Sequence, residues 1–527
     1  MLLDVHSLPD DPTELKQIIA TLSSSYQDKF HHLEEQVRLL RNEIFGRKSE
    51  KRLPPQDERQ QRLFDEADGE VSEESSRSQE PKPIPVAPHQ RRKAGRKPLP
   101  ADLPRIEVIH DLPESEKQCA CGTPLSRIGE EVCEKLDIIP AKVQVIRHIR
   151  YKYACKGCEG VESETPTVQI APLPPQLIPK TMATAGLLAH LVVSKFEDAL
   201  PFHRQSKQLA RMGIDLPRAT LCNWARQVAE RASPLADLMD RAIREGPIVN
   251  IDETTVQVLQ EPGRADTQKS YMWIFRGGDP QRPVLRYQYH PTRAGSVPLT
   301  YLAGFKGYVQ TDGYNGYDAL GRKPGIIMVG CWAHARRKFH EVLQAAGPPV
   351  AKRRLAAEEA LEFIARLYRI EKEARAKELS VPELYELRQQ QAQPVLVEFK
   401  QWLEQKAPLT PPGGLLGKAI GYTLNQWSRL IVYLQDGRLR PDNNLVENAI
   451  RPFVVGRKNW LFSGHPRGAE ASAFLYSLIE TAKANGLKPY AYLRYLFDQL
   501  PLAKSEDDYR NLLPSYMDAS RLNPAAA

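Results

Sequence analysis

Two aspartates in this sequence stand where a carboxylate has little reason to be. Asp252 is set inside the apolar run PIVNIDETTVQVL, and Asp312 closes the β-type segment GYVQTDGY. A lone charge within an apolar strand is costly unless it is paired or coordinates a metal. Neither aspartate is followed by a basic residue that would pair it locally. Two carboxylates on adjacent strands can hold Mg²⁺ ions (or Mn²⁺) about 4 Å apart, the arrangement that phosphoryl transfer uses. Either residue alone reads better as the cap of a strand or turn; two in this order favour the metal. A third carboxylate, Glu447, follows in PDNNLVENAIRP, one turn into a helix that Asp442 can cap. Alone, Glu447 reads equally as half of a surface i,i+4 ion pair with Arg451.

Thiols give a second chemistry. Four of the seven cysteines fall in two close pairs, Cys119-Ala-Cys121 and Cys155-Lys-Gly-Cys158, which can surround Zn²⁺ tetrahedrally. The first pair is tighter than CxxC, and Cys133 could replace one of its members. The segment between them is too polar for much of a core, and a structural zinc contributes on the order of 10 kcal/mol of folding energy at neutral pH. An odd cysteine number in paired spacing favours ligation over a disulfide framework.

The elements that must position the carboxylates begin at Gly246. PIVNIDETTVQVL, SYMWIFRG and PVLRYQYHP read as strands, followed by a helix near Leu299, the strand ending at Asp312, and GIIMVGCWAH leading into the basic helix HARRKFHEVL. That order predicts a mixed α/β sheet. Residues 341–420 read as a helical insertion, after which no strand signal returns. The catalytic domain is therefore placed at 246–480, with a C-terminal helical segment at 481–527.

Upstream, residues 178–245 read as helices. Two short ones, a Gly213 turn and a third helix carrying Arg218, Thr220, Asn223 and Arg226 fit a helix-turn-helix that reads DNA in the major groove. The alternative is an ordinary helical bundle whose polar face meets water. Residues 105–170 form the β-rich zinc-binding domain. Residues 47–104, proline-rich with the block HQRRKAGRKPLP, read as a flexible basic linker, able to lie along a minor groove or simply to stay solvated. Residues 13–46 place apolar side chains at Leu15, Ile19, Leu22, Tyr26, Phe30, Leu33, Val37, Leu40 and Ile44. Those 3- and 4-residue steps predict a coiled coil and self-association, rather than a helix packed on its own domain.

Composition is compatible with this division. At 527 residues the chain should hold two to four domains. The excess of 73 Lys+Arg over 65 Asp+Glu gives +8, which suits an anionic partner without requiring one. No apolar run spans a bilayer and MLLDVHSLPDDPTELK lacks a secretory signal, so a cytoplasmic protein with no membrane partner is expected.

Taken together, the residues resemble the DDE-type transposases of the insertion-sequence sixty-six family. The blocks that carry the resemblance are FGRKSEK, GRKPLPADLPR, LDIIPAKVQVIRHIRYKYAC, IDET, QTDGYNGY, GCWAHARRKF, DNNLVENAIRP and GRKNWLFSGHPRGAEASAFLYSLIETAKANGLKPYAYL. The resemblance implies a multidomain α+β protein whose catalytic domain is ribonuclease H-like. It maps a catalytic triad onto Asp252, Asp312 and Glu447, the last reached across 447 − 312 = 135 residues that hold the insertion. It implies Mg²⁺ or Mn²⁺ at the triad, structural Zn²⁺, double-stranded DNA (element ends and target) as partner, and accessory proteins of the same element. Asn443 and Asn444 are expected to orient the last carboxylate or a metal-bound water. Arg451, Arg457 and Lys458 are expected to grip the DNA backbone, while Trp460 either stacks on an unpaired base or belongs to the core. The CxxH unit Cys331–His334 reads as a core cysteine with a hydrogen-bonded histidine near the site, in preference to a metal ligand. The CxC first pair departs from the wider spacing of relatives. Two rivals remain: a catalytically silent DNA-binding regulator, and a nuclease of the same fold that cuts without joining.

Overall fold

The computed structural model describes residues 11–45, 143–154, 168–346 and 355–522. Residues 1–70 and 152–527 belong to one unit and residues 71–151 to another, of which only 143–151 are described. That stretch has no regular secondary structure and exposes Val145, Ile149 and Tyr151. The expected linker and Cys119, Cys121, Cys133, Cys155 and Cys158 lie outside the described residues.

In the first unit α1 (Pro12–Phe45) is one unbroken helix. Asp11 opens it by accepting from the Thr13 N–H at 3.1 Å. Five of its predicted seam residues, Ile19, Tyr26, Phe30, Leu33 and Val37, are 48% to 70% exposed, an apolar stripe facing solvent. A short antiparallel pair follows, β1 (Lys152–Ala154) with β2 (Val168–Ile170).

Four helices come next: α2 (Ala185–Phe196), α3 (Phe202–Arg211), α4 (Arg218–Arg231) and α5 (Pro234–Glu245). Gly213, at φ 81°, supplies the left-handed turn between α3 and α4. Helix α4 buries Leu221, Trp224, Ala225, Val228 and Ala229, the i, i+3, i+4, i+7, i+8 stripe of an amphipathic helix.

The sheet is built on β3 (Ile248–Val258), whose β-branched Ile248, Val249, Ile251, Val256 and Val258 suit a strand packed on both faces. β4 (Lys269–Asp279) pairs antiparallel with β3, and β5 (Arg282–His290) antiparallel with β4. After α6 (Ser296–Tyr301), β6 (Gly307–Gln310) joins the other side of β3 in parallel, and β7 (Ile326–Val329) joins β6 in parallel. The order is β5-β4-β3-β6-β7.

Helix α7 (Trp332–Ala346) leads into the insertion: α8 (Ala356–Ala376), α9 (Val381–Leu387), a π-helical turn Arg388–Ala392, α10 (Gln393–Lys406), α11 (Leu415–Asn425) and α12 (Trp427–Leu430). These helices make a core of their own around Trp332, Phe399 and Trp427. Inside it Arg388 holds Glu371 through two hydrogen bonds of 2.8 and 2.9 Å and donates to three backbone carbonyls.

Then come α13 (Asn444–Trp460), β8 (Phe462–Ser463), α14 (Pro466–Ala484), α15 (Pro489–Gln499) and α16 (Glu506–Leu512). The expectation that no strand follows the insertion is corrected by β8, which pairs in parallel with Gln257 and Val258 of β3. Leu461 takes a left-handed φ of 64° to end α13 and feed β8. The expected boundary at residue 480 falls inside α14. That helix covers the edge strand β5: Ser477 accepts from the Tyr287 N–H at 2.8 Å and Thr481 from the Leu285 N–H at 3.0 Å. Edge donors are thereby closed to other strands. Among the described residues no helix is long and apolar enough to cross a membrane.

Candidate active site

Strand register brings the two aspartates together. Asn250 of β3 stands opposite Gln310 of β6 in a parallel pair, so Asp252, two residues further along β3, and Asp312, two residues past the end of β6, stand side by side. Period-two alternation puts all four on one face. Their neighbours Asn250 and Gln310 are joined there by a 2.9 Å hydrogen bond. Asp312 Oδ1 accepts from the Tyr314 N–H at 3.0 Å, folding the chain away from the strand end. Gly313 is required in that turn, because a Cβ would sit 2.6 Å from the Tyr422 ring of α11.

Glu447 arrives from α13, whose first turn is anchored by amides rather than by charge. Asn443, 1% exposed, donates to the Ile251 carbonyl at 3.0 Å and accepts from Asn250 at 3.0 Å. Gln310 donates to the carbonyls of Gly330 and Arg440 at 3.2 and 2.8 Å, closing the same network. Asn443 therefore orients the helix that carries the carboxylate and touches no acidic oxygen in the network described. Asn444 offers its backbone N–H to Asp442 at 3.2 Å, a cap on the first turn. The role expected of the two amides, orienting the last carboxylate or a metal-bound water, is compatible with Asn443 fixing the first turn of α13.

Glu447 is 3% exposed, so it is not half of a surface ion pair. Its Oε1 lies 3.8 Å from Cys331 Sγ and 3.5 Å from His334 Nδ1. Burial first, then the charges of Asp442 and Asp312, push its carboxyl up to about 8, while Arg337 pulls it down. Asp252 is raised well above the carboxylate range by burial and by Glu253, Glu447 and Asp312. Three elements distant in sequence thus converge acidic groups that repel one another. Such a cluster is what a divalent cation neutralises.

Glu253, next to Asp252, was not anticipated. It points to the opposite face, 6% exposed, where Arg293 Nε donates to it at 2.5 Å and the Tyr317 hydroxyl donates as well. Burial and the charge of Asp312 raise it to about 7, against the pull of Arg293. The guanidinium of Arg293 also lies 3.8 Å over the Tyr314 ring. The partner comes from 40 residues away, so nothing in the local sequence marks the pair.

Of the remaining expected contacts, Arg218 and Asn223 are exposed on α4, Thr220 and Arg226 half-buried. Arg226 is held by Glu230 and by Asn223 at 2.8 Å. Past Glu447, Arg451 is half-buried and Lys458 exposed. Arg457, expected on the DNA backbone, is 8% exposed and donates to Thr254 and Thr255 at 3.3 and 3.2 Å, bracing α13 on β3. The half-buried Trp460 packs edge-on against Phe196, with Lys195 Nζ 4.7 Å from its ring centre, at the border of the core.

Comparison with known proteins finds four family models along the chain. Residues 180–471 match the Transposase IS66 family, 116–159 the zinc-finger binding domain of transposase IS66, 32–108 Transposase C of IS166 homeodomain, and 477–515 the IS66 C-terminal element. In Sinorhizobium fredii the uncharacterized protein y4jD is 37% identical over 441 residues, 81% of this chain and 83% of that protein. The uncharacterized protein y4qI of the same organism is 30% identical over 554 residues, covering 98% of each chain. With its sheet, insertion and C-terminal helices inside these matches, the chain belongs to the IS66 family of transposases.

Proposed function

We propose that this protein is a bacterial insertion-sequence transposase that cuts DNA at the ends of its element and joins them to target DNA, with Asp252, Asp312 and Glu447 as its metal-binding triad. The observation that carries the reading is the convergence of three carboxylates, in which burial and the charges of Glu447 and Asp312 raise Asp252, and burial and Asp312 raise Glu447. An all-oxygen donor set with that much negative charge fits Mg²⁺ or Mn²⁺. Such ions, when bound, supply Lewis-acid stabilisation of phosphoryl oxygens and acidify the attacking hydroxyl. The strand order, three antiparallel strands continued by two parallel ones, supports the ribonuclease H-like assignment.

The chain's own residues do the positioning. Asn250, Gln310 and Asn443 fix α13 against β3 and β6, and Arg457 braces its far end. Glu447 must lose its proton to serve as a ligand, and burial holds that proton until positive charge arrives. Water first breaks the phosphodiester at the element end and frees a 3′-hydroxyl. That hydroxyl then attacks a target phosphodiester, one P–O bond replacing another. Arg218, Thr220, Asn223 and Arg226 present the DNA-facing side of α4; Arg451 and Lys458 lie along the path past Glu447. Pairing two ends requires at least two protomers, and the apolar stripe of α1 supplies a coiled-coil surface for them. Cys119, Cys121, Cys155 and Cys158 hold the structural zinc.

The test is Mg²⁺-dependent cleavage and joining of labelled element-end DNA by wild type, Asp252→Asn, Asp312→Asn and Glu447→Gln, with binding measured in parallel. All three substitutions should abolish chemistry and leave binding. A wild type that binds and never reacts, with the element's accessory proteins present, would make it a regulator. Cleavage without strand transfer from a pre-cut end would make it a nuclease.

A further inference from the structure

Beside Glu447 lies a donor set of different character. Cys331 directly precedes α7 and His334 is in its first turn. Their Sγ and Nδ1 atoms stand 3.8 and 3.5 Å from the same oxygen, Glu447 Oε1, and all three donor atoms lie within 4.8 Å of one another. A tetrahedral zinc ion, with Zn–S of about 2.3 Å and Zn–N and Zn–O of about 2.0–2.1 Å, has S···O edges of about 3.5 Å and N···O edges of about 3.3 Å. The observed edges are longer by only a few tenths of an ångström, within the reach of small side-chain rotations.

Two further observations point to a ligand. The Nδ1 of His334 is buried with no hydrogen-bond partner, a position that is costly for a ring nitrogen unless something occupies it. Cys331 is 1% exposed, and the Asn443 N–H, 3.2 Å away, is aimed at its sulfur. That contact fixes the sulfur beside Glu447 Oε1.

We propose that Cys331, His334 and Glu447 form a separate site for one thiophilic divalent cation, of the Zn²⁺ or Cd²⁺ class, and that filling it withdraws Glu447 from the carboxylate cluster. Sulfur and imidazole select a soft or borderline ion, whereas the neighbouring carboxylates select a hard one. The Glu447 carboxylate is common to both sets, so the two occupancies compete. Binding releases the Cys331 proton to solvent and leaves a water to complete the tetrahedron. The competition rests on the role of Glu447 proposed above; the site itself does not.

The experiment measures bound zinc per chain in full-length, reduced protein dialysed against buffered Zn²⁺. The cysteine pairs of the zinc-binding domain load equally in every variant, so differences report this site. Cys331→Ser and His334→Gln should each hold one zinc fewer than wild type, while Asp252→Asn should match wild type. Cobalt gives the same answer by colour: wild type minus Cys331→Ser should leave a sulfur-to-cobalt charge-transfer band. Should Cys331→Ser fail to fold, the half-buried His334→Gln decides the count. Equal zinc in wild type and His334→Gln overturns the site. In the second arm, the extra zinc should abolish Mg²⁺-dependent DNA cleavage by wild type, and its chelation should restore it. Cleavage indifferent to a demonstrated extra zinc overturns the competition. A wild type inactive with every metal overturns the transposase reading instead, and the zinc count still judges the site.

Discussion

Glu447→Gln should make the magnesium-free protein more stable as the pH rises, even as it removes activity. The Glu447 carboxyl is pushed from 4.5 up to about 8 by burial and by the charges of Asp442 and Asp312, against the pull of Arg337. Its folded-state pKa lies above its unfolded one, so its contribution to stability is fully present below pH 4.5. That contribution is lost as pH rises through about 8. With those two values the loss grows from about 1 kcal/mol at pH 5 to about 5 kcal/mol at pH 9. Glutamine is neutral in both states and escapes the loss. Relief of the charge on Asp252 acts in the same direction. The variant should therefore gain about 4 kcal/mol on wild type between pH 5 and pH 9. Urea unfolding in magnesium-free buffer, followed by the fluorescence of the fully buried Trp273 and Trp332, reads this directly. Mg²⁺ at pH 9 should then raise the wild-type midpoint more than the variant's, which keeps Asp252 and Asp312 but lacks the third carboxylate. Parallel pH curves for the two proteins would refute the buried, repelling triad.

Arg457→Ala should lower stability by about 1–3 kcal/mol without altering the salt dependence of DNA binding, since its contacts are the hydroxyls of Thr254 and Thr255. Exposed Lys458→Ala should do the reverse, reducing the slope of log affinity against log salt by about 1. In the insertion, Arg388→Met strands a buried Glu371 and should cost about 3–5 kcal/mol in urea unfolding, with much of it regained by adding Glu371→Met. Leu33→Glu with Val37→Glu, both in the exposed stripe of α1, should abolish self-association in light scattering.

What could be read without coordinates was what local pattern records. Asp252 and Asp312 stood out because a charge breaks an apolar run, and the helix under Glu447 because Asp442 and two asparagines announce a start. The amides that bring the three together were invisible. Asn250 and Gln310 look like the outward positions of an alternating strand, yet each is at most 3% exposed, and their bonds span 20 to 193 residues. Arg457 belongs to a basic string, GRKNW, that reads as a grip on DNA, and only the packing of α13 on β3 shows it turned inward. The two residues of β8 carry too little pattern to register, and α13 stops at Leu461 without the glycine that usually marks such a stop.

The amide clasp between Asn250 and Asn443 also sets a timetable for synthesis. A ribosome must add 193 residues after the first asparagine before the second exists, and α14 must still follow to close the outer edge of the sheet. Domains fold as units while the chain emerges, and pairings this remote wait longest. A nascent chain that already displays Asp252 and Asp312 therefore lacks the helix that brings Glu447 to them.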